Sequence, residues 1–328
     1  MATAATSLRE RIKQNPAAAA LIRTPYRLLR YAFQDLAFGA RYPVEALRAS
    51  RAWWHYANRE GIRRWREHPL ALDALQRRIV SELNAGGLAL THLDELFPGA
   101  SPLDNLIAFA RQLLDAAQLG RKKHFLKYLW GGDRKPTISL ENPFIRVAIH
   151  DRVLAVVHAY LGMYAKLDFF SANVTIPGGR DAAAAGSQRW HRDPGDIRII
   201  KMFVYLNDVD AETGPFTYVR ESNAGNRFAG LYPAGPRNGI YPPPGAVERA
   251  VPSEMTFPCL GSAGTVIFCD TKGLHKGGYS ISRARLMSTF GYSARHSPTH
   301  PITYRFPEGF AAAAKALSPT ARFAVGQE

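Results

Sequence analysis

The chain has 328 residues, 46% hydrophobic and 21% charged, which suits an ordinary globular protein with one large or two smaller cores. No run approaches the roughly 18 apolar residues of a membrane span, and the first residues lack the basic-then-apolar order of a secretory signal. Two cysteines, Cys259 and Cys269, exclude a disulfide framework, so a cytoplasmic protein with two small buried thiols is expected.

The net charge of +15 is uneven: residues 1–67 hold 13 Lys+Arg against 5 Asp+Glu. Such a surface attracts polyanions (nucleic acid, anionic lipid headgroups or an acidic substrate) unless it is simply a solvated face. The same residues read as a helical extension in which Trp53, Trp54, His55, Tyr56 and Trp65 interleave with Arg51, Arg59, Arg63, Arg64 and Arg66. Aromatics in this setting pack on a core or lie at a membrane surface, here the inner face. From residue 69 the pattern is regular. Residues 70–86 carry apolar side chains at three- and four-residue steps and stop at Gly86-Gly87, a helix and its terminator. Leu88 to Leu96 suits a strand. Residues 103–120 and 142–162 predict two further amphipathic helices, the second ended by Gly162.

β signals then dominate, in KLDFFSANVTIP (166–177), RIIKMFVYLNDV (198–209), GPFTYV (214–219), GTVIFC (264–269) and LMSTFGY (286–292). A helical front third and a strand-rich back half predict an α+β fold on a β-sandwich or jelly-roll core. Residues 224–252 are dense in Gly and Pro without periodicity, and so long a connection between core strands reads as a lid over a site. The expected organisation is an extension over 1–68, a domain over 69–300 containing that insert, and a C-terminal tail over 301–328.

The chemistry concentrates in Gln188-Arg189-Trp190-His191-Arg192-Asp193-Pro194. Positions i and i+2 of an extended segment share a face about 6.6 Å apart. His191 and Asp193 can therefore converge on one ion at about 2.0–2.2 Å. His275, which follows the strand-like Thr265–Phe268 and a turn at 270–273, is the candidate third ligand, with Gly277 and Gly278 keeping bulk away from the metal. Two histidines and a carboxylate on one octahedral face leave open positions, the set used by non-haem Fe(II) oxygenases. An oxygenase of this kind also needs a planar, permanently charged fork for the distal carboxylate of a dicarboxylate co-substrate. Arg285, opening the last strand, is the candidate; Arg283 competes for the role, and Thr289 shares the face of Arg285 and can donate a hydroxyl.

With WHRDP, the strand KMFVYLNDVD leading into ETGPFTYV, and GTVIFCDTKGLHKGG followed by RARLMSTFGY, residues 70–295 resemble the phytanoyl-CoA dioxygenase family. The resemblance implies a double-stranded β-helix core, Fe(II) held by His191, Asp193 and His275, and 2-oxoglutarate held by Arg285, with Gln188 matching a polar residue that many members place on the co-substrate. It also implies that O2 is consumed and favours hydroxylation of an unactivated C–H bond over halogenation, because halogenating relatives lack the carboxylate ligand; desaturation and ring formation, which differ only in the fate of the radical, stay open. Where members carry Pro-Gly-Ser-His, this chain has Glu221-Ser222-Asn223 in the stretch from Arg220. The substrate of better-known relatives is therefore not carried over; a small-molecule or lipid-linked, anionic compound fits the charge. The other class that the charge suggests is a protein binding nucleic acid or a membrane surface through a non-catalytic β-sandwich. The basic residues form no recognisable nucleic-acid motif, which argues against that partner.

Overall fold

The computed structural model describes residues 50–115, 120–122, 125–128, 136–181, 183–194, 196–233, 241–297 and 302–327. The greater part of the expected extension, residues 1–49, and positions 234–240 of the expected lid lie outside the described residues. The chain divides into two units, Met1–Trp53 and Trp54–Glu328, and the second carries the fold set out below.

Two of the four arginines of helix Arg59–Glu67 are paired within the helix. Arg63 pairs with Glu60 at 2.8 Å and also with Glu67, while Arg64 reaches Glu60 at 2.6 Å. Trp54 is buried and its indole N–H donates to Asp196.

Helix Ala74–Gly86 starts where its chemistry dictates. Asp73 accepts from the Gln76 amide while the Gln76 side chain accepts from the Asp73 amide, and Gly87 ends it at φ 78°. The expected strand from Leu88 is shorter than its sequence pattern. Strand β1 covers Leu88–His92, and His92 then caps a one-turn helix, Leu93–Leu96. The expected helix over 142–162 is two helices, Pro143–Ala148 and Asp151–Leu161. The His150 side chain accepts from the Arg152 amide, so a new N-terminus forms where the apolar periodicity runs on unbroken.

The remaining strands are β2 Gly120–Lys122, β3 Phe125–Tyr128, β4 Lys166–Thr175, β5 Ile200–Tyr205, β6 Thr217–Val219, β7 Thr256–Pro258, β8 Thr265–Asp270, β9 His275–Lys276 and β10 Arg285–Ser293. They form two antiparallel sheets. The larger has the order β1-β8-β5-β10-β4-β3-β2 and the smaller β7-β6-β9.

Period-two alternation separates the faces of the large sheet. Phe170, Ala172 and Val174 of β4, Met202 and Val204 of β5, Phe268 of β8 and Phe290 of β10 join the main core with the helices. Residues 302–327 also feed this core through Tyr304, Phe310, Ala321 and Val325. On the opposite face Phe203, Tyr205, Ile267 and Met287 pack with Phe216 and Tyr218 from around β6. A cavity lined by both polar and apolar side chains lies on that second face.

One core histidine makes stability depend on pH. His158 is fully buried and stacks on Tyr164 at 4.8 Å between ring centroids, and burial lowers its pKa from 6.5 to about 3. The unfolded imidazole takes a proton first, so this contribution to stability is complete above pH 6.5 and is lost as the pH falls toward 3. Between pH 7 and pH 4 the loss is on the order of 2–3 kcal/mol. Urea denaturation of His158→Phe at the two pH values should show a smaller difference than the parent chain.

Candidate metal centre

His191 and His275 are brought together by the backbone. The His191 amide donates to the His275 carbonyl at 2.9 Å, and the His275 amide returns the bond at 3.0 Å. This two-residue bridge sets the imidazole centroids 4.2 Å apart. Asp193 is fixed two residues on by its amide, which donates to the Thr271 carbonyl at 2.9 Å.

Each imidazole is locked through its other nitrogen. His191 Nδ1 lies 2.8 Å from the Arg189 carbonyl and His275 Nδ1 lies 2.9 Å from the Gly273 carbonyl. A carbonyl only accepts, so each Nδ1 carries the proton and each Nε2 presents a lone pair. Burial lowers both histidine pKa values, that of His275 to about 3, so the rings are held in their ligating form. Both Nε2 atoms face Asp193 Oδ1, at 3.9 Å from His191 and 4.0 Å from His275. The three ligand atoms all lie within 4.8 Å of one another. Two neutral imidazoles and a carboxylate so arranged fit a small divalent cation, with a slight contraction on binding. Burial alone would raise the pKa of Asp193; the Lys201 ammonium beside it outweighs burial and holds the group far below the usual carboxylate range.

His191 and His275 open into the cavity on the sheet. Phe169, Ser171, Asn173 and Thr175 of β4, Lys201 and Phe203 of β5, and Arg285, Met287 and Thr289 of β10 form its floor, while Phe216, His275, Gly277, Ser187 and His191 complete it. Arg285 and Thr289, both singled out in the sequence, thus share the cavity with two of the metal candidates. Arg285 stands opposite Thr175 in register and is buried. Its guanidinium donates to Thr175 Oγ1 at 3.2 Å and to the carbonyls of Gly214 and Gly277. Among the described residues no carboxylate pairs with it. A buried, permanently charged group without a counter-ion is costly, and a bound carboxylate would remove that cost.

The backbone behind Arg285 requires glycine. Gly278 has φ 63°, and a side chain there would run into the carbonyls of Gly214 and Pro215. This close approach presents Gly214 and Gly277 together to the guanidinium. The glycine pair expected to spare the metal therefore serves mainly the arginine, although Gly277 does line the cavity.

The other two candidates lie elsewhere. Arg283 is largely exposed and pairs with Asp210. Gln188 is buried in a 3-10 turn, where its Oε1 accepts from the Ala185 amide at 3.0 Å; its neighbour Ser187 lines the cavity instead. Sequence reasoning missed Lys201 and the Ser171-Asn173-Thr175 row. The row had a signal: in a strand flanked by apolar sequence, its polar residues alternate with Phe170, Ala172 and Val174.

The ends of segment 224–252 pack beside the metal candidates. Phe228, Val247 and Val251 cluster with Trp190 and Leu274. The Trp190 indole donates to Glu248 at 2.7 Å, and the Tyr241 ring lies 5.9 Å from that of His191. Arg192, between two of the candidate ligands, donates to the carbonyls of Ser222 at 2.6 Å, Phe228 at 2.9 Å and Leu231 at 3.0 Å.

No family model matches the chain, and no curated protein matches its sequence. Solved structures do match. The epimerase SnoN in complex with Fe3+, α-ketoglutarate and nogalamycin RO is 19% identical, over 73% of this chain and 89% of its own, with a TM-score of 0.52. HygX from Streptomyces hygroscopicus, with nickel and 2-oxoglutarate bound, is 17% identical over 69% of this chain and 89% of its own, with a TM-score of 0.44. The likeness to SnoN shows that the chain has the fold of an iron- and α-ketoglutarate-binding enzyme.

Proposed function

We propose that the chain is a non-haem Fe(II)- and 2-oxoglutarate-dependent oxygenase built on a double-stranded β-helix, akin to the phytanoyl-CoA dioxygenases. The observation that carries this reading is one cavity lined both by the two histidines of a His-Asp-His triad and by a buried arginine that, among the described residues, has no carboxylate partner. The neighbour SnoN, crystallised with Fe3+ and the same keto acid, supports the choice of metal and co-substrate.

His191, Asp193 and His275 would hold the iron. Bound there, iron would supply O2 activation coupled to the conversion of 2-oxoglutarate to succinate and CO2, and with it the oxidation of the substrate. Arg285 receives the distal carboxylate of 2-oxoglutarate in its fork, with the Thr175 and Thr289 hydroxyls beside it. Phe169, Phe203, Phe216 and Met287 keep water from the reacting centre. The described ends of segment 224–252 border the substrate side, and the chain's net charge of +15 suits a small or lipid-linked anionic substrate. Hydroxylation of an unactivated C–H bond is the proposed outcome. Among the described residues no helix is long and apolar enough to cross a membrane, and contact with anionic lipid would be peripheral.

Mixing the protein with Fe(II), 2-oxoglutarate and air should yield succinate, and chelation should stop it. Repeating the assay with anionic substrates at 0.1 and 1 M salt tests recognition of substrate charge, because the screening length falls from about 10 Å to about 3 Å. Rates for anionic substrates should fall at high salt while those for neutral ones hold. No succinate under any condition would overturn the enzyme reading.

A further inference from the structure

The two oxygens of Asp193 face different partners. Oδ1 looks toward both Nε2 atoms, at 3.9 and 4.0 Å, whereas Oδ2 lies 2.6 Å from the Lys201 ammonium. Lys201 comes from β5, the strand that follows the His191–Asp193 segment, and lines the cavity itself. Its position is built rather than incidental. In the sheet it stands opposite Gly291 of β10, and the space a side chain would fill there is taken by the ring of Phe169. The Lys201 ammonium lies 5.6 Å from the centroid of that ring, so the long side chain is held between an aromatic face and the carboxylate.

We propose that Lys201 is a positioning residue that reserves Asp193 Oδ2 and so makes Asp193 a one-oxygen ligand. The inference rests on the metal-site reading above and adds a role for a residue outside the triad. A carboxylate is free to bind a cation through one oxygen or both. With both, Asp193 would take a coordination position that the keto-acid end of 2-oxoglutarate or O2 requires. With Oδ2 committed to an ammonium, only Oδ1 remains for the ion, and three protein atoms leave three positions open. The ammonium also supplies Asp193 with a counter-charge before any metal arrives, which holds the triad in shape.

The test uses Co(II) as the probe, because its visible spectrum reports coordination without turnover. Lys201→Met removes the charge and keeps an unbranched stem; Lys201→Arg keeps the charge. Wild type should bind one Co(II), change its spectrum on adding 2-oxoglutarate, and bind that ligand tightly by calorimetry. Lys201→Met should still bind Co(II), with a spectrum already altered before ligand is added, and 2-oxoglutarate should bind at least about tenfold more weakly. Lys201→Arg should restore most of both. Should Lys201→Met fail to fold, Lys201→Arg and Lys201→Gln are compared in the same way, and only the neutral variant should show the defect. A Co(II) spectrum and 2-oxoglutarate affinity unchanged in the neutral variant would overturn the role of Lys201 and leave the metal site standing. Failure of wild type to bind Co(II) at all would overturn both.

Discussion

Replacing His275 with alanine is expected to abolish 2-oxoglutarate turnover while leaving the fold in place. The backbone bonds that join His275 to His191 involve only amides and carbonyls, so they survive the substitution. What disappears is one of three ligand atoms. Changes in the shell around a metal's ligands already cost about 10–100-fold in affinity or activity, and loss of a ligand itself should exceed that range. The space left beside Phe216, whose ring centroid lies 5.7 Å from that of His275, lowers stability without undoing the sheet. Circular dichroism should match the parent chain while bound iron and succinate production are lost. Parent-like turnover in His275→Ala would remove His275 from the metal site.

Arg285→Ala should raise the KM for 2-oxoglutarate by roughly 10²-fold, the value of a charge-assisted, two-pronged contact of a few kcal/mol. The KM for the primary substrate should move much less. Arg283→Ala is the control, because Arg283 is largely exposed and pairs with Asp210 outside the cavity. A surface pair of that kind contributes about 0–1 kcal/mol, so its loss should leave the KM for 2-oxoglutarate near the parent value. A larger effect from Arg283 than from Arg285 would reverse their roles.

The contrast between these two arginines shows what the sequence could disclose. Period-two alternation puts Arg285, Met287 and Thr289 on one face of β10, and the structure lines the cavity with all three. The same alternation admits Arg283, and only the start of the strand at Arg285 separates them. The triad was legible for a related reason: His191 and Asp193 are two residues apart on an extended segment, so their convergence is local. His275 needed a long-range pairing, and its strand is two residues long, too short for any propensity to register. Lys201 left no signal. In the sequence it is one polar residue in an apolar run, and its pairing with Asp193 exists only because β5 crosses beside the 191–193 segment.

Helices were legible where capping residues and periodicity agreed, as at Asp73 and Gly87. They were misread where a side chain began a new turn inside a continuous apolar pattern, as at His150. Packing of the chain's end was hidden as well. Phe310 and Phe323 are buried, yet the polar and alanine-rich sequence around them shows no strong periodicity.

The central claim is that His191, Asp193 and His275 hold iron in a cavity where Arg285 receives 2-oxoglutarate. Anaerobic titration by visible absorption tests it most directly. Protein with one equivalent of Fe(II) should develop a weak charge-transfer band as 2-oxoglutarate is added, saturating at one equivalent. The band should be absent in His275→Ala and should need far more 2-oxoglutarate in Arg285→Ala. A parent chain that develops no band, or a band that persists unchanged in His275→Ala, would contradict the account.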